Sequence, residues 1–225
     1  MFGLFKRKNR EAMQLCNAGV ELKRAGRIDM AILAWVEAVQ KNPDQFEAWY
    51  NLGVAFLQSG KIEQAIEALR SAVRIKPEHA DAWANLGSSY SQAKQYGKSI
   101  EAYQQALRIN PKHAGYWNNI GGAFSRSGQT VRSIDAREQA LHLNPEDVMH
   151  WYNLSITYSK GGQSAKAKEV YERAVRTNPK FAEEWTKLGV SSHPEFNKVL
   201  FELGIIKNID PRLDPDFMDQ ITRKG

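Results

Sequence analysis

Phe46–His79 reads FEAWYNLGVAFLQSGKIEQAIEALRSAVRIKPEH, and the next residues, Ala80–His113, read ADAWANLGSSYSQAKQYGKSIEAYQQALRINPKH. Aligned without a gap, both carry Trp (Trp49, Trp83), then Asn-Leu-Gly (Asn51 to Gly53, Asn85 to Gly87), then Ala (Ala72, Ala106) and Pro (Pro77, Pro111). The register extends outward in both directions. Trp49, Trp83, Trp117, Trp151 and Trp185 are 34 residues apart each time. Pro43, Pro77, Pro111, Pro145 and Pro179 keep that step, as do Ala38, Ala72, Ala106, Ala140 and Ala174, and glycine recurs at Gly53, Gly87, Gly121 and Gly189. Self-similarity at a fixed period of this size is the signature of a stacked-repeat architecture.

Within a unit, Trp49, Leu52, Gly53 and Phe56 recur at i, i+3, i+4 and i+7, which gathers them on one helix face. Gly60 ends that helix, because glycine accepts the left-handed conformation a helix C-terminus needs. Ile62, Ala65, Ile66, Leu69 and Ala72 open a second apolar stripe, and Pro77 cannot continue it. Each unit is therefore predicted as helix, turn, helix, turn.

These residues resemble the tetratricopeptide repeat (TPR) family, whose pattern is tryptophan, leucine-glycine and tyrosine in the first helix, then alanine, an aromatic, alanine and proline in the second. The resemblance covers units 12–45, 46–79, 80–113, 114–147 and 148–181, plus the first helix of a sixth at 182–192. It implies an all-α, right-handed superhelical solenoid. Leu15 departs from the pattern in the first unit, where tryptophan is expected, and Ser155 replaces the glycine of the fifth. Arg137 stands in the fourth where an aromatic or leucine is expected, so that unit's second helix is expected to pack least well. Residues 1–11 read as a basic tail. Residues 193–225 read as a capping helix, with Phe196, Val199, Leu200 and Leu203 on one stripe, and a C-terminal tail, since the last repeat of a solenoid leaves an apolar face to cover.

Of the formal net charge of +6, the tail supplies +3 through Lys6, Arg7, Lys8 and Arg10 against Glu11. The remainder is too close to neutral for the electrostatic footprint of a nucleic-acid binder. Four basic residues near an anionic membrane contribute about 4 kcal/mol, a dissociation constant near about 1 mM, so membrane contact through residues 1–10 is expected to be weak. The lone Cys16 cannot form an internal disulfide. Met1–Lys8 has its apolar and basic parts in the reverse order of a secretory signal, and no apolar run approaches a membrane span, so a cytoplasmic location is expected.

No phosphate loop, dinucleotide glycine motif or nucleophile elbow occurs. His79 and His113 read as solvated turn residues, and His142, His150 and His193 have no cysteine or acidic partner at ligand spacing. No enzyme activity, cofactor or metal is expected. Arg74, Arg108 and Arg176 fall in last helical turns, where the macrodipole favours a cation.

The remaining signal lies opposite the core. At about 100° per residue, Asn51 points roughly 200° from Trp49. Asparagine holds that place in five successive units, as Asn17, Asn51, Asn85, Asn119 and Asn153, with Lys187 in the sixth. Asparagine is a poorer helix former than alanine by up to about 0.7 kcal/mol, so solvent exposure alone does not account for it. Its amide both donates and accepts, and can satisfy a passing peptide unit. The column is similar to the asparagine ladder in the repeat domain of the O-linked N-acetylglucosamine transferase, which implies main-chain capture of an extended polypeptide on the concave surface. Two readings stand, a binding ladder or a column of amides that bond one another and fix the stacking. Tyr50, Val54 and Leu57 are expected as one apolar wall of the groove and Tyr152 and Ile156 as another, with Ala84, Ser88 and Gly122 leaving room between. The lysine-asparagine clamp of chaperone-binding repeats is absent, since Cys16, Tyr50, Ala84, Asn118 and Tyr152 precede the ladder residues. The expected function is an adaptor or scaffold that binds an extended protein segment. The alternatives are a self-assembling structural protein that oligomerises through its tails and a nucleic-acid-binding module.

Overall fold

The computed structural model describes residues 2–181, with side chains from residue 7 onward. The expected first helix at 182–192 with Lys187, and the capping helix and tail at 193–225, lie outside the described residues. Within them are ten α-helices and no strand: α1 (Phe2–Arg24), α2 (Ile28–Lys41), α3 (Phe46–Gln58), α4 (Ile62–Ile75), α5 (Ala80–Gln92), α6 (Tyr96–Ile109), α7 (Ala114–Arg126), α8 (Thr130–Leu143), α9 (Val148–Lys160) and α10 (Ser164–Thr177).

The chain divides into two compact units, residues 1–112 and 113–225. In the first, α1 pairs with α2, α3 with α4 and α5 with α6, and the pairs stack through α2 on α3, α4 on α5 and α3 on α5. In the second, α7 pairs with α8 and α9 with α10, stacked through α8 on α9 and α7 on α9. The fold is an all-α helical-repeat solenoid, and within each unit every helix touches its sequence neighbours.

The shared period of tryptophan and proline has a physical cause. The indole N–H groups of Trp49, Trp83 and Trp151 donate to the carbonyls of Pro43, Pro77 and Pro145, each at 2.8 Å. One bond thus ties each of α3, α5 and α9 to the turn that feeds it. The recurrent glycine permits close approach of the two helices in a pair. At Gly53 an added Cβ would lie 2.4 Å from Leu69 Cγ, the branch point of a fully buried side chain that cannot swing aside. Gly53→Ala is therefore expected to destabilise by about 1–3 kcal/mol, offset in part by about 1 kcal/mol of helix propensity. Urea melts should show it, with a smaller change for Gly87→Ala, where the nearest atom is a Tyr103 ring carbon at 3.0 Å. Ser155, which replaces this glycine in the fifth repeat, is buried but satisfied, donating to Ala167 O at 3.0 Å.

Between the helices of a pair, Gly26, Gly60, Gly128 and Gly162 have φ of 75°, 71°, 79° and 72°, while Lys94 holds the same place at φ 58°. A side chain there costs about 1–2 kcal/mol. Lys94→Gly is expected to stabilise by about 0.5–1 kcal/mol once glycine's greater unfolded-state freedom is subtracted, as thermal melting will show.

Two expectations are corrected, and one is extended. The basic segment 1–11 is no separate tail: α1 starts at Phe2, and Glu11 bonds Arg7 at 2.8 Å on the same helix and Lys41 at 3.0 Å on α2, which hold its carboxyl below the usual range. His79, half-buried, and His113, exposed, stand in their turns and also cap α5 and α7. Their Nδ1 atoms accept from Ala82 N at 3.2 Å and Tyr116 N at 3.3 Å, and His79 also packs on the Phe46 and Tyr50 rings. The slot of Arg137 in α8 is filled, not loose: the residue is buried with its stem against Gly121, as Leu69 lies against Gly53.

Candidate functional site

The helix turn that buries Leu52 and Gly53 and sets half-buried Trp49 against the core forces Asn51 to the other side. In the first unit, Asn17 on α1 is exposed, and Tyr50, Asn51 and Val54 on α3 and Asn85 on α5 are half-buried. Asn85 Nδ2 donates to the Tyr50 hydroxyl at 3.2 Å across the α3–α5 stack. Burial, with the Asp81 charge, raises the Tyr50 phenol above its ordinary value, so the hydroxyl keeps its proton and can still donate it. Asn17 and Asn51 make no side-chain hydrogen bond among the described residues. Leu57 and Ser88 are half-buried beside them and Ala84 is buried.

In the second unit, Asn119 on α7 is exposed and unbonded among the described residues, and half-buried Asn153 on α9 donates through Nδ2 to Asn118 Oδ1 at 3.2 Å. The two amide bonds obey one rule. Each joins a ladder asparagine to the residue just before the ladder position one repeat earlier, a separation of 35 residues. The sequence reading had no signal for Asn118 as a partner. Tyr152 and Ile156, expected as a groove wall, are only 2% and 5% exposed and belong to the core around Trp151 and Leu154. They offer a partner no surface.

Clefts lie elsewhere. One of about 490 Å³ in the first unit is lined by Trp83, Leu86, Tyr90 and Lys98, and one of about 570 Å³ in the second by Trp151, Leu154, Tyr158 and Arg173. Neither is lined by a ladder asparagine. Among the described residues no cluster of three His, Cys, Asp or Glu side chains could hold a metal ion, and no helix is long and apolar enough to cross a membrane.

Tetratricopeptide repeat family profiles match residues 16–80, 80–113 and 138–169. The chain belongs to the tetratricopeptide repeat family. Solved TPR structures share its fold. A crystal structure of MamA superposes with a TM-score of 0.72 at 22% identity, covering 77% of this chain and 94% of that one. YrrB, described as a TPR protein with an unusual peptide-binding site, gives 0.67 at 19% identity, over 77% of this chain and 90% of its own. A thermophilic TPR protein of Thermus thermophilus, TTC0263, gives 0.60 at 22% identity, over 78% and 97%. A comparison with curated proteins gives no match.

Proposed function

We propose that this TPR chain is a protein-interaction scaffold that holds an extended polypeptide segment by its main chain on the asparagine side of its first helices. The observation that carries the reading is the state of the amides. Asn17, Asn51 and Asn119 are uncommitted among the described residues, and Asn85 and Asn153 spend only an N–H, which leaves their carbonyls to accept a partner's peptide N–H. The column is thus part stacking device and part open surface. Tyr50 and Val54 supply the apolar neighbours that give sequence preference. The peptide-binding site named for YrrB supports the reading by analogy of fold. The test is selection of random 12-residue peptides on the full chain. Retained peptides should bind with affinity independent of reversal of charge outside one or two positions, because main-chain capture tolerates side-chain change. Failure to retain any peptide contradicts the reading.

Self-assembly is a second reading, favoured by Met13, Met30 and Leu33, which are 57%, 46% and 63% exposed on the α1–α2 pair. Light scattering decides: a mass of one chain at every concentration removes it.

A further inference from the structure

Arg137 is the described residue whose chemistry the fold uses least well. Trp35, Leu69 and Tyr103 hold the equivalent place in other repeats, and all are buried. Arg137 is buried as well, 8% exposed, but it brings a charge. Its Nη1 donates to Asn153 O and to Thr157 Oγ1, both on α9. Its Nε is buried with no hydrogen-bond partner, its Nη2 makes no hydrogen bond among the described residues, and no carboxylate pairs with it there. Nε–H and Nη2–H together form the side-on edge of the guanidinium, the fork whose two parallel donors match a carboxylate.

That edge faces two consecutive glycines. A Cβ on Gly121 would lie 3.3 Å from Arg137 Nε, and one on Gly122 would lie 3.9 Å from Arg137 Nη2 and 3.4 Å from Arg126 Nη1, with no other neighbouring side chain or partner helix within 4 Å. Valine, serine and isoleucine occupy the position of Gly122 in the other repeats, as Val20, Val54, Ser88 and Ile156. Gly122 is half-buried and neighbours the asparagine side of α7, so the missing side chain leaves an opening above the guanidinium, and Arg126 adds a second positive charge at its rim. Burial, reinforced by the Arg126 charge, pushes the Arg137 pKa down to about 10. An anion placed in the opening relieves both effects.

We propose that Arg137, reached through the gap at Gly122 and supported by Arg126, is a subsite for a carboxylate side chain, aspartate or glutamate, of the bound polypeptide. The assignment of the ligand as a polypeptide rests on the proposed function above; the carboxylate chemistry rests on the second unit alone. Two oxygens side by side fit the Nε/Nη2 edge, and a carboxylate is the group of that kind that an unmodified polypeptide carries.

The test follows the arginine Nε–H signals of the full chain by nitrogen-proton correlation spectroscopy, titrating sodium glutarate against sodium chloride at matched ionic strength. The Arg137 signal, assigned by its loss in Arg137→Leu, should move saturably with glutarate and stay fixed with chloride. Gly122→Val, which refills the gap and keeps Arg137, should abolish the movement, and Arg126→Gln should weaken it by about two- to fivefold. No movement with glutarate, or equal movement in Gly122→Val, overturns the proposal, and a tighter response to inorganic phosphate overturns its assignment to a carboxylate. In the peptide selection, peptides held by the wild type should be enriched in Asp or Glu at one position and peptides held by Arg137→Leu should not. Peptides retained without that enrichment contradict the subsite and leave the scaffold reading standing. A glutarate response with no peptide retained contradicts the scaffold reading and leaves the anion site standing.

Discussion

Arg137→Leu is expected to melt higher than the wild type. Leucine is the residue at the equivalent place in α4, where Leu69 is fully buried against Gly53, so the slot accepts it without overpacking. The change removes a buried charge that has no carboxylate partner among the described residues and loses the Nη1 bonds to Asn153 O and Thr157 Oγ1. Thr157 Oγ1 stays satisfied, since it also donates to Asn153 O at 2.8 Å. Replacing buried ionic groups by well-packed apolar ones is commonly neutral to stabilising by about 1–4 kcal/mol. An expected gain of about 1–3 kcal/mol corresponds to a rise of about 2–4 °C per kcal/mol for a chain of this size. The sign follows from the lowered pKa. A base whose folded value falls below its unfolded one is disfavoured in its charged form by folding, so the penalty is present at every pH below about 10. The difference in melting temperature should therefore be constant between about pH 6 and 9. A lower melting temperature for the variant would mean that the two Nη1 bonds outweigh the desolvation. A position where local structure is less stable than a simple substitution allows is where function is expected to act.

Replacing Asn17, Asn51 and Asn85 together by alanine is expected to remove polypeptide binding by the first unit while leaving its stability nearly unchanged. Asn17 and Asn51 make no side-chain hydrogen bond among the described residues, and alanine gains up to about 0.7 kcal/mol of helix propensity at each site. Loss of the Asn85–Tyr50 bond costs about 0.5–1.5 kcal/mol, so the sum is near zero. Each main-chain bond to a partner contributes a net of about 0.5–1.5 kcal/mol, so three lost bonds weaken binding by about tenfold to a thousandfold. Calorimetry with a selected peptide, beside a melt of the same sample, separates the outcomes. Lower melting with binding reduced only in proportion identifies the amides as stacking groups alone.

The repeat and its two helices were legible because their causes are local and periodic. Tryptophan and proline share a period since one donates to the other's carbonyl, and glycine shares it since a neighbouring side chain lies on its Cα. The caps at His79 and His113 were hidden, because histidine is not among the usual N-cap residues and the ring nitrogen that accepts is not visible in a residue type. Angular placement on a lone helix assigned Tyr152 and Ile156 to an open wall, yet it takes no account of what packs around α9, where both are buried. Tyr50 and Asn118 came to light as ladder partners only through the stagger of successive first helices, which links residues 35 apart rather than 34. Arg137 was visible as a departure from the pattern. Its consequence was not, because an arginine can fill an apolar slot with its stem while its head reaches beyond it.

The most direct measurement is the response of the asparagine side-chain amides to a selected 12-residue peptide, followed by nitrogen-proton correlation spectroscopy of the full chain. The Nδ2 signals of Asn17, Asn51 and Asn85 should shift together and saturate with one dissociation constant, while the Trp83 indole signal, whose N–H is held by Pro77 and whose ring lines the first unit's cleft, stays in place. Unmoved asparagine signals together with a shifted Trp83 indole would place the partner in that cleft and contradict the account.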